Sequence, residues 1–103
     1  MGFEIEGTPR VVKARAKCKV PGVLDAFASV LTKLQQNPRY VVPDKPQIWK
    51  KEFPDLPNHR HDDLPDGWRV SWSVIRQGQT DSVLVVFLGS HKDYENTYGF
   101  TGH

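Results

Sequence analysis

Val83, Leu84, Val85, Val86, Phe87 and Leu88 stand in an unbroken row, and that row narrows what this chain can fold into more than any other feature. It is far too short to cross a bilayer as a helix. A short valine-rich run apolar on both faces reads as a strand in the middle of a sheet, where neither side meets water. The rest of the chain must therefore supply strands on either side and a layer to cover them. With 103 residues, there is room for one domain and one modest core, so residues 1–103 are read as a single domain. A hydrophobic content of 38% beside 25% charged residues belongs to a soluble globular chain rather than a disordered one.

The neighbouring strands can be read from alternation. Over residues 68–76, Trp68, Val70, Trp72 and Val74 point one way, and Arg69, Ser71 and Ser73 the other. Pro65-Asp66-Gly67 has the residues of a tight turn and joins this strand to a weaker one over residues 58–64. A three-residue turn sets Asp63 opposite Arg69 and His61 opposite Ser71, which gathers His61, Asp63 and Arg69 on one open surface. The same register sends Arg60 and Asp62 to the core side, a conflict that either a bulge or an edge position would relieve. Gln77-Gly78-Gln79 turns the chain into the apolar run. At the other end, Phe3 and Ile5 alternate with Glu4 and Glu6, as in a half-buried strand.

Two helices are read between these strands. Residues 22–36 carry Val23, Leu24, Phe27, Val30, Leu31 and Leu34 at three- and four-residue spacing, and Asn37-Pro38 stops them. Residues 9–18 open on Thr8, a capping residue, and Pro9, which suits the first helical position, with Val11, Ala14 and Cys18 on one face. Val12, Ala14, Ala16, Cys18 and Val20 also alternate with Lys13, Arg15, Lys17 and Lys19, which is strand periodicity. The alanines and basic residues favour the helix. Five prolines over residues 38–57 leave little room for regular structure, with Ile48, Trp49 and Phe53 as pins to the body. The expected class is α+β: an N-terminal strand, a helical hairpin, then a mainly antiparallel sheet of about four strands with helices on one face.

Net charge is +2, but Arg10, Lys13, Arg15, Lys17 and Lys19 fall together with no acid among them. Such a patch attracts phosphates with a pull that weakens in salt, or docks an acidic protein, or is an ordinary solvated face. Cys18 is alone, which excludes an internal disulfide and fits a reducing compartment, the cytoplasm. The first residues lack the features of a secretory signal, and no membrane contact is expected. His59 and His61 share a strand face with Asp63 next, but no fourth ligand group is evident and structural zinc sites usually draw on cysteine. No metal or other cofactor is assigned.

Three stretches resemble the RelE/ParE superfamily of toxins from toxin–antitoxin pairs. Residues 8–38, TPRVVKARAKCKVPGVLDAFASVLTKLQQNP, are similar to its helical hairpin. Residues 64–75, LPDGWRVSWSVI, are similar to its turn and following Trp-Arg or Tyr-Arg strand. Residues 91–100, HKDYENTYGF, resemble the His-Lys-x-Tyr ending of one branch. The resemblance implies a ribosome-dependent messenger-RNA endonuclease or a non-enzymatic poison of DNA gyrase, held silent by a cognate antitoxin. It leaves the oligomeric state open.

RNA cleavage by attack of a 2′-hydroxyl needs proton transfer and a cation for the extra phosphate charge, and in principle no metal. Arg69 is the candidate phosphate cation, because its planar fork matches phosphate oxygens. Its competing role is a salt bridge to Asp63. His91 is the candidate acid or base. Tyr98 completes the candidate catalytic set. Lys50, Lys51, Arg60, His61 and Tyr94 are candidates for gripping or stacking on RNA. For Tyr94 the competing role is to anchor the tail on the core. The chain departs from the nuclease pattern in having no arginine on the apolar strand, which leaves a catalytically inactive protein binder as a further alternative.

Overall fold

The computed structural model describes residues 4–41, 59–77 and 80–98, with the side chains of 76, 77, 80, 81, 97 and 98 excepted. In chain order the elements are β1 (Glu4–Gly7), α1 (Pro9–Lys17), α2 (Val23–Gln36), β2 (His59–Asp63), a single 3-10 turn (Pro65–Gly67), β3 (Arg69–Gln77), β4 (Thr80–Gly89) and α3 (His91–Tyr98). The sheet runs β1-β4-β3-β2. β1 is parallel to β4, and the other two pairings are antiparallel. The apolar row thus lies on an inner strand, as its two-sided hydrophobicity requires.

Residues 9–17 are helical, which decides between the two periodicities. Thr8 is extended, and its Oγ1 accepts the Val11 N–H at 3.4 Å. Pro9 follows at the first helical position, and Arg15 and Lys17 lie in the last turn, at the negative end of the helix dipole. Helical spacing buries Val11 and packs Ala14 and Cys18 against the core, leaving Val12 60% exposed. Gly22, at φ +82°, turns the chain into α2. That helix buries Val23, Phe27, Val30 and Leu34. Leu24, at the margin of the stripe, stays 37% exposed.

The helical hairpin covers the sheet face carrying Val70, Trp72, Val74, Val83, Val85 and Leu88. Trp72 is fully buried there; its Nε1–H donates to the Pro38 carbonyl at 2.9 Å, and Tyr40 stacks on it with 5.6 Å between centroids.

β2 is an edge strand, and its conflict is relieved by the chain that leaves α2. Arg60, 5% exposed, donates from Nε to the Val41 carbonyl at 3.3 Å. Asp62 accepts from the Tyr40 hydroxyl at 2.5 Å. Burial, then this hydrogen bond and the Asp62 charge, push the Tyr40 phenol well above its usual range. The folded chain therefore holds that proton more tightly than the unfolded one. The associated stability is complete below the ordinary tyrosine pKa of about 10 and is lost as pH climbs beyond it. Tyr40→Phe should cost about 1.5–3 kcal/mol at neutral pH and flatten the alkaline decline in stability. Urea melts of both proteins at pH 7 and in the alkaline range check this; parallel declines would contradict it.

The bulge lies on β4. Ser71 pairs with Phe87 but Trp72 with Val85, so Val86 is the extra residue. The bulge reverses the facing of the end of β4: Leu88 joins the core and Phe87 turns to the opposite face.

That opposite face was expected to be open. It carries α3, an element additional to the expected hairpin, and is largely covered: His59, Ser71 and Ser73 are 0% exposed and Phe87 1%. Close approach of α3 uses Gly89. A Cβ there would stand 2.9 Å from Phe87 Cζ and 3.2 Å from Asp93 Cβ. Gly89→Ala should therefore destabilise by about 1–3 kcal/mol and loosen α3, since a buried ring cannot swing aside. Amide exchange reads this directly, and unchanged protection across residues 91–98 would contradict it.

Residues 42–58 and 78–79 lie outside the described residues, and with them the expected pins Ile48, Trp49 and Phe53. Among the described residues no helix is long and apolar enough to cross a membrane.

Candidate active site

The turn between β2 and β3 builds the site. Asp66 and Gly67 both take left-handed backbone, at φ 57° and 77°. The Leu64 N–H donates to the Trp68 carbonyl at 2.7 Å, and Trp68 N–H to Pro65 at 3.2 Å. This geometry fixes the register read from the sequence: Asp63 opposite Arg69 and His61 opposite Ser71.

Arg69 opens β3 and pairs across to Gly89, at the end of β4. His91 follows two residues later as the first residue of α3. Its Cβ lies 3.7 Å from where a Cβ on Gly67 would stand, which puts it against the turn that precedes Arg69. Arg69 and His91 therefore occupy the same rim of the sheet, where β3 begins and β4 ends.

Each has a carboxylate partner. Arg69 Nε meets Asp63 Oδ1 at 3.1 Å, with side chains 24% and 76% exposed respectively. A pair this open contributes less than about 1 kcal/mol, so a phosphate can replace Asp63. His91 Nε2 meets Glu95 Oε1 at 2.9 Å, one helical turn away. With Nε2 engaged, Nδ1 is the nitrogen left to address a substrate.

Tyr94 is fully buried. Arg69 Cζ sits 4.6 Å from its ring centroid, Phe87 meets the ring edge-on at 5.6 Å, and the His61 ring lies at 5.5 Å. Its hydroxyl is 3.5 Å from His61 Nδ1. Such a ring cannot stack on a nucleobase, so the RNA-stacking expectation is corrected in favour of the anchoring role. Arg60 is corrected too. Its position in β2 turns it toward the core, where it is 5% exposed, and it does not reach the rim. His61 keeps partial exposure beside Tyr94. The Tyr98 backbone ends α3, but its side chain lies outside the described residues, as do Lys50 and Lys51.

Glu95 joins the site without having been selected from the sequence, and Arg10, read there only as part of the basic run, reaches the ring that packs on Tyr94. Glu95 holds His91, and its signal was present as the four-residue spacing. Arg10, exposed on α1, brings its Cζ to 5.5 Å from the Phe87 centroid. That contact depends on the bulge at Val86, which leaves no local mark in the sequence. The rest of the basic run, Lys13, Arg15, Lys17 and Lys19, is exposed as well.

His59 and His61 turn to different partners. His59 Nδ1 lies 3.1 Å from Ser73 Oγ, while His61 meets Tyr94. Among the described residues no three His, Cys, Asp or Glu side chains gather as metal ligands.

A guanidinium on an exposed carboxylate and an imidazole on another thus share one partly exposed rim, and these are the group types that phosphodiester binding and proton transfer draw on.

The structure is similar to a solved structure of the E. coli toxin RelE, a double arginine-to-alanine mutant in the free state. The TM-score is 0.62, sequence identity 17%, and 96% of each chain is covered. The sequence matches no protein-family model and no curated protein. At this identity the likeness shows the fold, so the chain has the RelE toxin fold.

Proposed function

We propose that this chain is the toxin of a toxin–antitoxin pair and that it cleaves messenger RNA on the ribosome without a metal. The observation that carries the reading is the placement of Arg69 and His91 on one rim of a RelE-fold sheet. In the reaction, the 2′-hydroxyl loses its proton and its oxygen attacks the adjacent phosphorus. The 5′-oxygen leaves and takes up a proton, and a 2′,3′-cyclic phosphate remains. Arg69 exchanges Asp63 for the non-bridging phosphate oxygens and stabilises the charge that grows there. His91 moves one of the two protons through Nδ1 while Glu95 fixes its ring. Tyr98, Lys50 and Lys51 remain proposed members of the substrate site, and the cytoplasm the proposed compartment.

His91→Ala should lower cleavage by about 10²–10⁴-fold. Glu95→Gln should lower it less, because the ring keeps a hydrogen-bonding neighbour. Timed cleavage of a defined message in a translating extract measures both. Equal losses would mean that Glu95 does more than orient His91.

The proposed protein partner is an antitoxin with an acidic segment. The basic run borders an apolar groove of about 230 Å³ lined by Ile5, Val11, Val12, Phe27, Leu31 and Val85, with Arg15 at its side.

A second reading draws on β4. Because residues 80–89 carry no arginine, the chain also fits a non-enzymatic binder, either a gyrase poison or an inactive relative. A supercoiling assay separates these: trapped gyrase with intact message favours the poison, and neither effect favours the inactive binder.

A further inference from the structure

We infer that Tyr94 is a positioning residue for Arg69, a buried aromatic platform that fixes the guanidinium where a phosphate must bind. This rests on the nuclease reading for its consequence but not for its geometry. An arginine at the start of a strand has several rotatable bonds and, beside an exposed carboxylate, many positions of similar energy. Asp63, at 76% exposure, cannot choose among them. The Tyr94 ring can. Arg69 Cζ stands 4.6 Å from its centroid, within the distance at which a ring face attracts a cation, and the ring is shielded from water.

The platform is itself fixed from three sides. Phe87 meets it at 74° between ring planes, the geometry in which one ring's positive edge faces the other's negative face. His61 meets it at 52°, with Nδ1 near the hydroxyl. α3 supplies the backbone, its Tyr94 N–H bonded to the Ser90 carbonyl at 2.9 Å. His91 belongs to the first turn of the same helix, so one short element carries the proton-transfer group on one residue and aligns the phosphate cation with another. The ring does this work and the hydroxyl does not, because the cation meets the ring's π system while the hydroxyl addresses His61.

The test separates the positioning claim from the nuclease claim. NMR of the free protein reads the Arg69 side-chain protons, which a ring face shifts upfield. The shift is expected in the wild type and in Tyr94→Phe, and lost in Tyr94→Leu. An unshifted Arg69 in the wild type overturns the inference, whether or not Tyr94→Leu folds. So does a shift that survives in Tyr94→Leu. In the cleavage assay, Tyr94→Leu should lower kcat on the order of 10²-fold, the scale of a misplaced reacting group, with a smaller change in KM. Tyr94→Phe should restore the rate. If Tyr94→Phe cleaves as poorly as an Arg69 variant, the hydroxyl takes part in the chemistry and Tyr94 is not a platform. If the wild type cleaves nothing while Arg69 is shifted, the nuclease reading fails and the positioning geometry stands.

Discussion

Replacing Arg69 with alanine should lower messenger-RNA cleavage by about 10²–10³-fold while changing fold stability by only about 1 kcal/mol. The two effects differ because the guanidinium does different things in the free and the reacting protein. In the free protein it holds a carboxylate that is 76% exposed and lies over one ring. Solvent competes for the first contact, and the second is a single cation–π interaction. In the proposed reaction it would face the phosphate oxygens at the moment their charge increases, on a rim that also carries α3. Arg69→Lys should recover only part of the loss, since an ammonium cannot present two parallel donors to a phosphate. Urea unfolding beside timed cleavage checks both halves. A variant that loses activity and stability in proportion would mean that Arg69 is a structural residue.

The largest effect on folding should come from Trp72→Ala, at about 3–5 kcal/mol. Trp72 has no exposed surface, sits beneath the helical hairpin, stacks on Tyr40 and donates to the Pro38 carbonyl. It ties the sheet to the chain just beyond α2, on which the buried side of β2 also depends. Domains of this kind are stable by about 5–15 kcal/mol, so the loss can leave the protein close to its unfolding threshold. Trp72→Phe keeps most of the volume but leaves the Pro38 carbonyl without its donor, at about 1–3 kcal/mol. Chemical denaturation of both variants measures this. Equal costs would mean that the hydrogen bond, and not the packing, dominates.

The parts of the fold that could be read were those whose periodicity had one physical solution. The stripe of α2, the two-sided hydrophobicity of β4 and the alternation of β3 each met that condition. Pro65-Asp66-Gly67 then fixed the register, and with it the pairing of Asp63 with Arg69. The segment of α1 satisfied two periods at once because it is short and its apolar residues are small; Thr8 and Pro9 carried the deciding information. α3 was harder to see. His91, Lys92, Asp93, Tyr94, Glu95 and Asn96 offer one large ring and no apolar stripe, so its burial depends on what the sheet presents beneath it. The bulge at Val86 is the deeper reason. Simple alternation from Val85 would turn Phe87 toward the hairpin, whereas the structure turns it toward Tyr94 and Arg10. The location of Arg69 and His91 at the ends of adjacent strands was therefore legible, and the aromatic bed beneath Arg69 was not.

The most direct measurement is primer extension on a defined message in a translating extract, with the chain added as wild type, Arg69→Ala and His91→Ala. All three must first be shown folded by amide exchange. Discrete breaks are expected with the wild type, at positions occupied by ribosomes, and both variants should leave the message largely intact. An intact message with the wild type, or breaks of equal strength with folded Arg69→Ala and His91→Ala, would contradict a nuclease built on these two side chains.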